Sequence, residues 1–80
     1  MIVHVKLLAT YRKLLPPGVE GNTFKVEVEP GTTVAELMSR YGVPLGEETV
    51  LLVNGLTPES LEQPLKDGDV VAAFSAMAGG

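Results

Sequence analysis

The chain of 80 residues contains no cysteine. That excludes disulfides, thiolate catalysis and cysteine-based metal sites together, and any sulfur chemistry must use an atom that the side chains do not supply. Tryptophan is also absent, and the aromatic residues are two Phe and two Tyr. His4 is the single histidine. Metal centres recruit several ligands, so His4 is read as a sheet-face residue and no metal site is expected. Basic residues are few: Lys6, Arg12, Lys13, Lys25, Arg40 and Lys66 are scattered against ten acidic ones, for a net charge of −4. This balance argues against nucleic acid or an anionic membrane as partner and favours a protein with a basic docking surface. No apolar run approaches the ~20 residues that span a bilayer. The N-terminus alternates like a strand and lacks a basic leader, so a cytoplasmic location is expected.

What is present is a compact pattern for one small domain. Ile2 to Ala9 reads as a strand, with Val3, Val5 and Leu7 pointing one way. A long connection follows from Thr10 to Asn22, with a helical turn expected within Tyr11 to Leu15. Thr23 to Glu29 alternates cleanly, Phe24, Val26 and Val28 against Lys25, Glu27 and Glu29, and completes an antiparallel hairpin. Thr33 stands three residues before Glu36, the spacing of a capping box. Val34, Leu37, Met38 and Tyr41 then form one apolar helical stripe, closed by Gly42 as C′ residue and by Pro44. Thr49 to Asn54 is a third strand, stopped at Asn54-Gly55. Thr57-Pro58-Glu59 predicts a brief helical turn. Lys66-Asp67-Gly68-Asp69 is a turn, and Val70 to Phe74 a last strand.

A hairpin followed by one amphipathic helix predicts a two-layer α+β domain. The helix acts as the crossover that lays a later strand parallel to the first. The expected architecture is a β-grasp: a mixed sheet of four to five strands covered by one main helix. It divides into a domain over residues 1–75 and a free C-terminal tail over 76–80. The last strand is apolar on both faces, although one helix covers only one, so its outward residues are read as a docking patch. Which parity faces out stays open, and Phe74 fits either the patch or the core. Glu47-Glu48 and Glu59/Glu62 are read as solvated faces. Asp67-Gly68-Asp69 is too small a donor set for calcium and is read as a turn.

Val50-Leu51-Leu52-Val53-Asn54-Gly55, Leu65-Lys66-Asp67-Gly68-Asp69-Val70 and the terminal Gly79-Gly80 resemble, with the whole element order, the MoaD/ThiS family of ubiquitin-like sulfur carriers. A Gly-Gly end alone is weak evidence, since chance supplies one in about 200 chains. Joined to the element order, the length and the Asp-Gly-Asp turn, it is strong. The resemblance implies that an E1-like adenylating enzyme consumes ATP to form an acyl-adenylate at Gly80. A sulfur-donor enzyme then converts it to a thiocarboxylate, and an acceptor enzyme uses the sulfur; the chain itself is a carrier, not an enzyme, and binds no cofactor. Gly80 leaves the attacked carbon uncrowded, and Gly79 relaxes the backbone to thread a narrow channel. Ala76 and Ala78 keep the thread thin, and Ala76, Met77, Ala78 and Phe74 are the expected partner contacts. Five extended residues reach roughly 17 Å, enough for the body to dock outside a buried site.

Within the family, the chain length and the long connection resemble the molybdopterin-synthase small subunit, whose partner is the large subunit. That branch commonly carries a Pro-Pro pair where Ser75-Ala76-Met77 stands here, so the thiazole pathway stays open. A ubiquitin-like protein modifier, joined through Gly80 to a lysine amine, is the alternative of another class. An inert interaction module is a third.

Overall fold

The computed structural model describes residues 1–76. Four strands, β1 (Ile2–Leu7), β2 (Thr23–Glu27), β3 (Thr49–Val53) and β4 (Val70–Ser75), form one sheet in the order β2-β1-β4-β3. β1 and β2 are antiparallel, β1 and β4 parallel, and β3 and β4 antiparallel. A single α-helix, α1 (Val34–Arg40), lies between β2 and β3 in sequence and serves as part of the crossover. This is the β-grasp arrangement that the element order predicts. β1 stops at Leu7, two residues short of the expected end, because Ala9 turns to φ +53° and opens a 3₁₀ helix over Ala9–Leu14.

Local sequence determines both ends of α1. The Thr33 side chain accepts from the Glu36 N–H at 3.1 Å, and the Glu36 carboxylate accepts from the Thr33 N–H at 3.0 Å. At the other end Gly42, at φ +75°, donates to the Ser39 carbonyl, and the Val43 N–H donates to the Met38 carbonyl. That pair of bonds is the Schellman closure, which needs a residue tolerant of positive φ at C′.

The helical turn expected at Thr57-Pro58-Glu59 does not form. The backbone that follows is committed elsewhere. The Leu61 and Gln63 carbonyls accept the Ala35 and Val34 N–H groups at 2.9 and 3.1 Å, and the Leu65 N–H donates to Thr32 at 2.8 Å. The segment therefore satisfies the open N-terminus of α1 rather than building a helix of its own.

Between α1 and the sheet lies the core. Val3, Val5 and Leu7 of β1 and Val71 and Ala73 of β4 are fully buried, as are Val34, Leu37 and Met38 of α1. Phe24 of β2 meets Tyr41 edge to face, ring centres 5.0 Å apart. Among the described residues no helix is long and apolar enough to cross a membrane.

Candidate functional site

The register decides which residues face away from α1. With Val71 and Ala73 buried, Val70, Ala72 and Phe74 point to the opposite face. Phe74 therefore lies outward, half-buried, and the alternative of a core position is closed. Its cross-strand partner is Val50, and Ala72 is paired with Leu52. Directly opposed residues share a face, so β3 and β4 together present Val50, Leu52, Val70, Ala72 and Phe74. On the other half of this face β1 and β2 present His4 beside Lys25 and Lys6 beside Thr23, with Glu27 opposite Ile2. The outer face is thus divided: apolar over β3–β4, and polar and charged over β1–β2 apart from Ile2.

β4 carries this apolar half towards the C-terminus. At its end, Ser75 is paired with Thr49, and the Ala76 N–H donates to the Glu48 carbonyl at 2.8 Å. Ala76 itself is exposed. One further bond braces this corner. The Tyr11 hydroxyl, from the 3₁₀ helix that follows β1, is 2.6 Å from Thr49 Oγ1. Since β4 separates β1 from β3, this bond bridges the end of β4 and ties the elements on either side. The Leu8 N–H adds a bond to the Ala73 carbonyl at 3.0 Å. Of the residues expected to act, Met77, Ala78, Gly79 and Gly80 lie outside the described residues.

The motif residues Asn54 and Asp67-Gly68-Asp69 sit at the opposite end of β4. Six residues at ~3.3 Å each put them about 20 Å from Ala76. They form a clasp. Asn54 Nδ2 donates to Asp69 Oδ1 and Asn54 Oδ1 accepts from the Val70 N–H, each at 2.9 Å. Asp69 Oδ2 accepts from the Lys66 N–H at 2.8 Å, and Asp67 Oδ1 accepts from the Ile2 N–H at 2.8 Å. The most specific internal motifs therefore join the starts of β1 and β4 to the end of β3; they shape the body and do no chemistry at the chain end. A surface depression bounded by Val53, Leu56, Pro58, Pro64 and Lys66 lies at this far end as well. No group of three or more His, Asp or Glu able to hold a metal ion occurs among the described residues.

Tyr11, Thr49 and the β3 residues Val50 and Leu52 escaped the sequence reading as parts of the site. Val50-Leu51-Leu52-Val53 carried the signal, for it is apolar at both parities just as β4 is. The Tyr11–Thr49 bond left none, because it spans 38 residues.

Solved structures share the whole fold. A Pyrococcus furiosus chain provisionally named molybdopterin converting factor, subunit 1, matches with TM-score 0.76 and 28% identity, over 95% of this chain and 98% of that one. SAMP1 from Haloferax volcanii matches over 100% of both chains with TM-score 0.74 and 22% identity. A chain from the complex of subunits 1 and 2 of the molybdopterin-converting factor of Helicobacter pylori matches over 100% of both, with TM-score 0.62 and 20% identity. No curated protein matches the chain by sequence. The family model for ThiS matches residues 5–80, from the first strand through Gly79-Gly80. The chain belongs to the ThiS family of ubiquitin-like sulfur carriers.

Proposed function

We propose that the chain carries sulfur on its own C-terminus. The observation that supports this most directly is that the family match extends to Gly80, on a body with an apolar docking face next to the tail root. An E1-like partner joins the Gly80 carboxylate to ATP, releasing pyrophosphate and leaving an acyl-adenylate. Sulfide supplied by a donor enzyme then attacks the carbonyl carbon and displaces AMP, and the product is a thiocarboxylate. Activation is required because the free carboxylate spreads its charge over two oxygens and resists attack. The body provides recognition, through Val50, Leu52, Val70, Ala72 and Phe74. Ala76, Met77 and Ala78 lead Gly79-Gly80 into the partner's channel. ATP is consumed by the partner, in the cytoplasm, and the chain binds no cofactor.

The favoured acceptor is the large subunit of a molybdopterin synthase, with this chain as the small subunit. The 28% identity to the Pyrococcus furiosus chain supports that branch, and the thiazole pathway is the alternative acceptor route. Transfer of Gly80 to a lysine amine would share the activation step and differ only in the nucleophile.

The test uses the absence of cysteine. Protein purified from its host is treated with a thiol-directed alkylating agent and its C-terminal fragments are mapped by mass spectrometry. An adduct on Gly80 is expected, because the thiocarboxylate is then the chain's one anionic sulfur. Lysine-linked conjugates in cell extract and no adduct, even after incubation with ATP, a sulfur source and the host's activating enzyme, would replace the carrier with the modifier. Absence of both would leave a binding module.

A further inference from the structure

Asn54 and Gly55 make the entire reversal between Val53 and Leu56. The Val53 N–H donates to the Leu56 carbonyl at 2.8 Å and the Leu56 N–H donates to the Val53 carbonyl at 3.1 Å. Both central residues have positive φ, +53° and +83°, the geometry for which Asn-Gly is the preferred pair. The same pair is chemically labile. No side chain on residue 55 shields its backbone nitrogen, which can attack Cγ of Asn54. The carboxamide C–N bond then breaks and the nitrogen leaves as ammonia, with the proton passed on from Gly55 through solvent. The resulting five-membered imide is opened by water at either carbonyl, giving aspartate or isoaspartate with no change of oxidation state.

The fold engages the side chain that would have to react. Asn54 is occupied at both ends of its side chain, Nδ2 on Asp69 Oδ1 and Oδ1 on the Val70 N–H. Asp69 is in turn oriented by the Lys66 N–H on its other oxygen. Cyclisation requires the carboxamide to leave β4 and swing over its own backbone, and the paired turn to relax. We infer that Asn54 is a deamidation site gated by Asp69, so that the clasp joining β3 to β4 is also the guard against its own chemical loss.

The product is incompatible with the clasp. An aspartate at position 54 puts a carboxylate oxygen where Nδ2 now donates, against Asp69 at a separation of 2.9 Å. Two anions at that distance repel, and one must turn away or take up a proton. Isoaspartate adds a main-chain carbon to a two-residue turn and removes the Val53–Leu56 pairing.

The full-length chain is incubated at mildly alkaline pH, and the amide-to-acid mass gain is mapped to residue 54 by peptide mass spectrometry. The native protein should deamidate at Asn54 at least roughly tenfold more slowly than the same chain in urea, where the site is open. Asp69→Ala should raise the native rate about tenfold, as expected for loss of one charge-assisted hydrogen bond. Asp69→Asn retains an acceptor and should give a smaller rise, and it keeps the test sound if Asp69→Ala does not fold. Leu37→Ala weakens the core without touching the clasp. If it accelerates Asn54 as much as the Asp69 variants do, the reaction runs through global unfolding and the gate is overturned. Equal rates for wild type and the Asp69 variants overturn it too.

Discussion

Tyr11 shows how one side chain can define where a folded body ends. Its ring is buried while its hydroxyl reaches Thr49 Oγ1, so the 3₁₀ helix after β1 is bonded to the first residue of β3. Immediately beside it the Ala76 N–H donates to Glu48, the last main-chain bond of the described chain. Tyr11→Phe keeps the packing and removes only the bond, which should lower stability by about 0.5–1.5 kcal/mol. The same change should speed hydrogen exchange at the Ala76 amide, whereas Thr49→Ser, which retains the hydroxyl, should not. Denaturant unfolding and amide exchange measured by NMR check both expectations; an unchanged Ala76 amide would mean that the hydroxyl pair does not hold the end of β4. The contact was illegible in the sequence. A lone tyrosine in a proline-rich connection resembles any half-buried aromatic, and its partner lies 38 residues away.

At the scale of elements, α1 is the part most fully written in its own residues. Capping box, apolar stripe and glycine closure are interactions among residues three to five apart, so periodicity and spacing expose them. Leu37 is fully buried between α1 and the sheet, and Leu37→Ala should cost about 2–5 kcal/mol in denaturant unfolding. Thr33→Ala should cost about 1 kcal/mol or less. The loss stays small because the Val34 and Ala35 N–H groups keep their partners on Gln63 and Leu61. Those two bonds also bear on the helical turn expected at Thr57-Pro58-Glu59, which does not form. Thr57-Pro58 has the local form of a helix start, but the carbonyls just beyond it are held by α1. A long-range demand overrides a weak local preference there.

For the whole molecule, the division of the outer sheet face matters most. Leu52 and Lys25 lie on the same face, one in the apolar half and the other in the charged half. Leu52→Lys should leave the fold stable to within about 1 kcal/mol, since the residue is only partly buried. It should weaken binding to the activating or acceptor enzyme roughly tenfold or more, the loss typical of a central apolar anchor. Lys25→Ala should change binding little. Titration calorimetry with the purified partner tests the pair, and equal effects at both positions would remove the apolar half as the docking surface.

Sequence alone determined the element order, both ends of α1 and the buried parity of β1, because each depends on neighbours in the chain or on the chemistry of single residues. The parity of β4 was decided only in three dimensions. Val70 to Phe74 is apolar at every position, so no pattern within it distinguishes inside from outside. Its pairing with β1 and β3 does, turning Val71 and Ala73 to the helix and Phe74 outward beside Val50. Tertiary structure likewise placed the motif residues: Asn54 and Asp69 meet at one end of β4 as a clasp, and the other end of β4 lies at Ser75. Residues 54 and 69 are far apart in sequence, and only the antiparallel register of β3 on β4 brings them within a hydrogen bond.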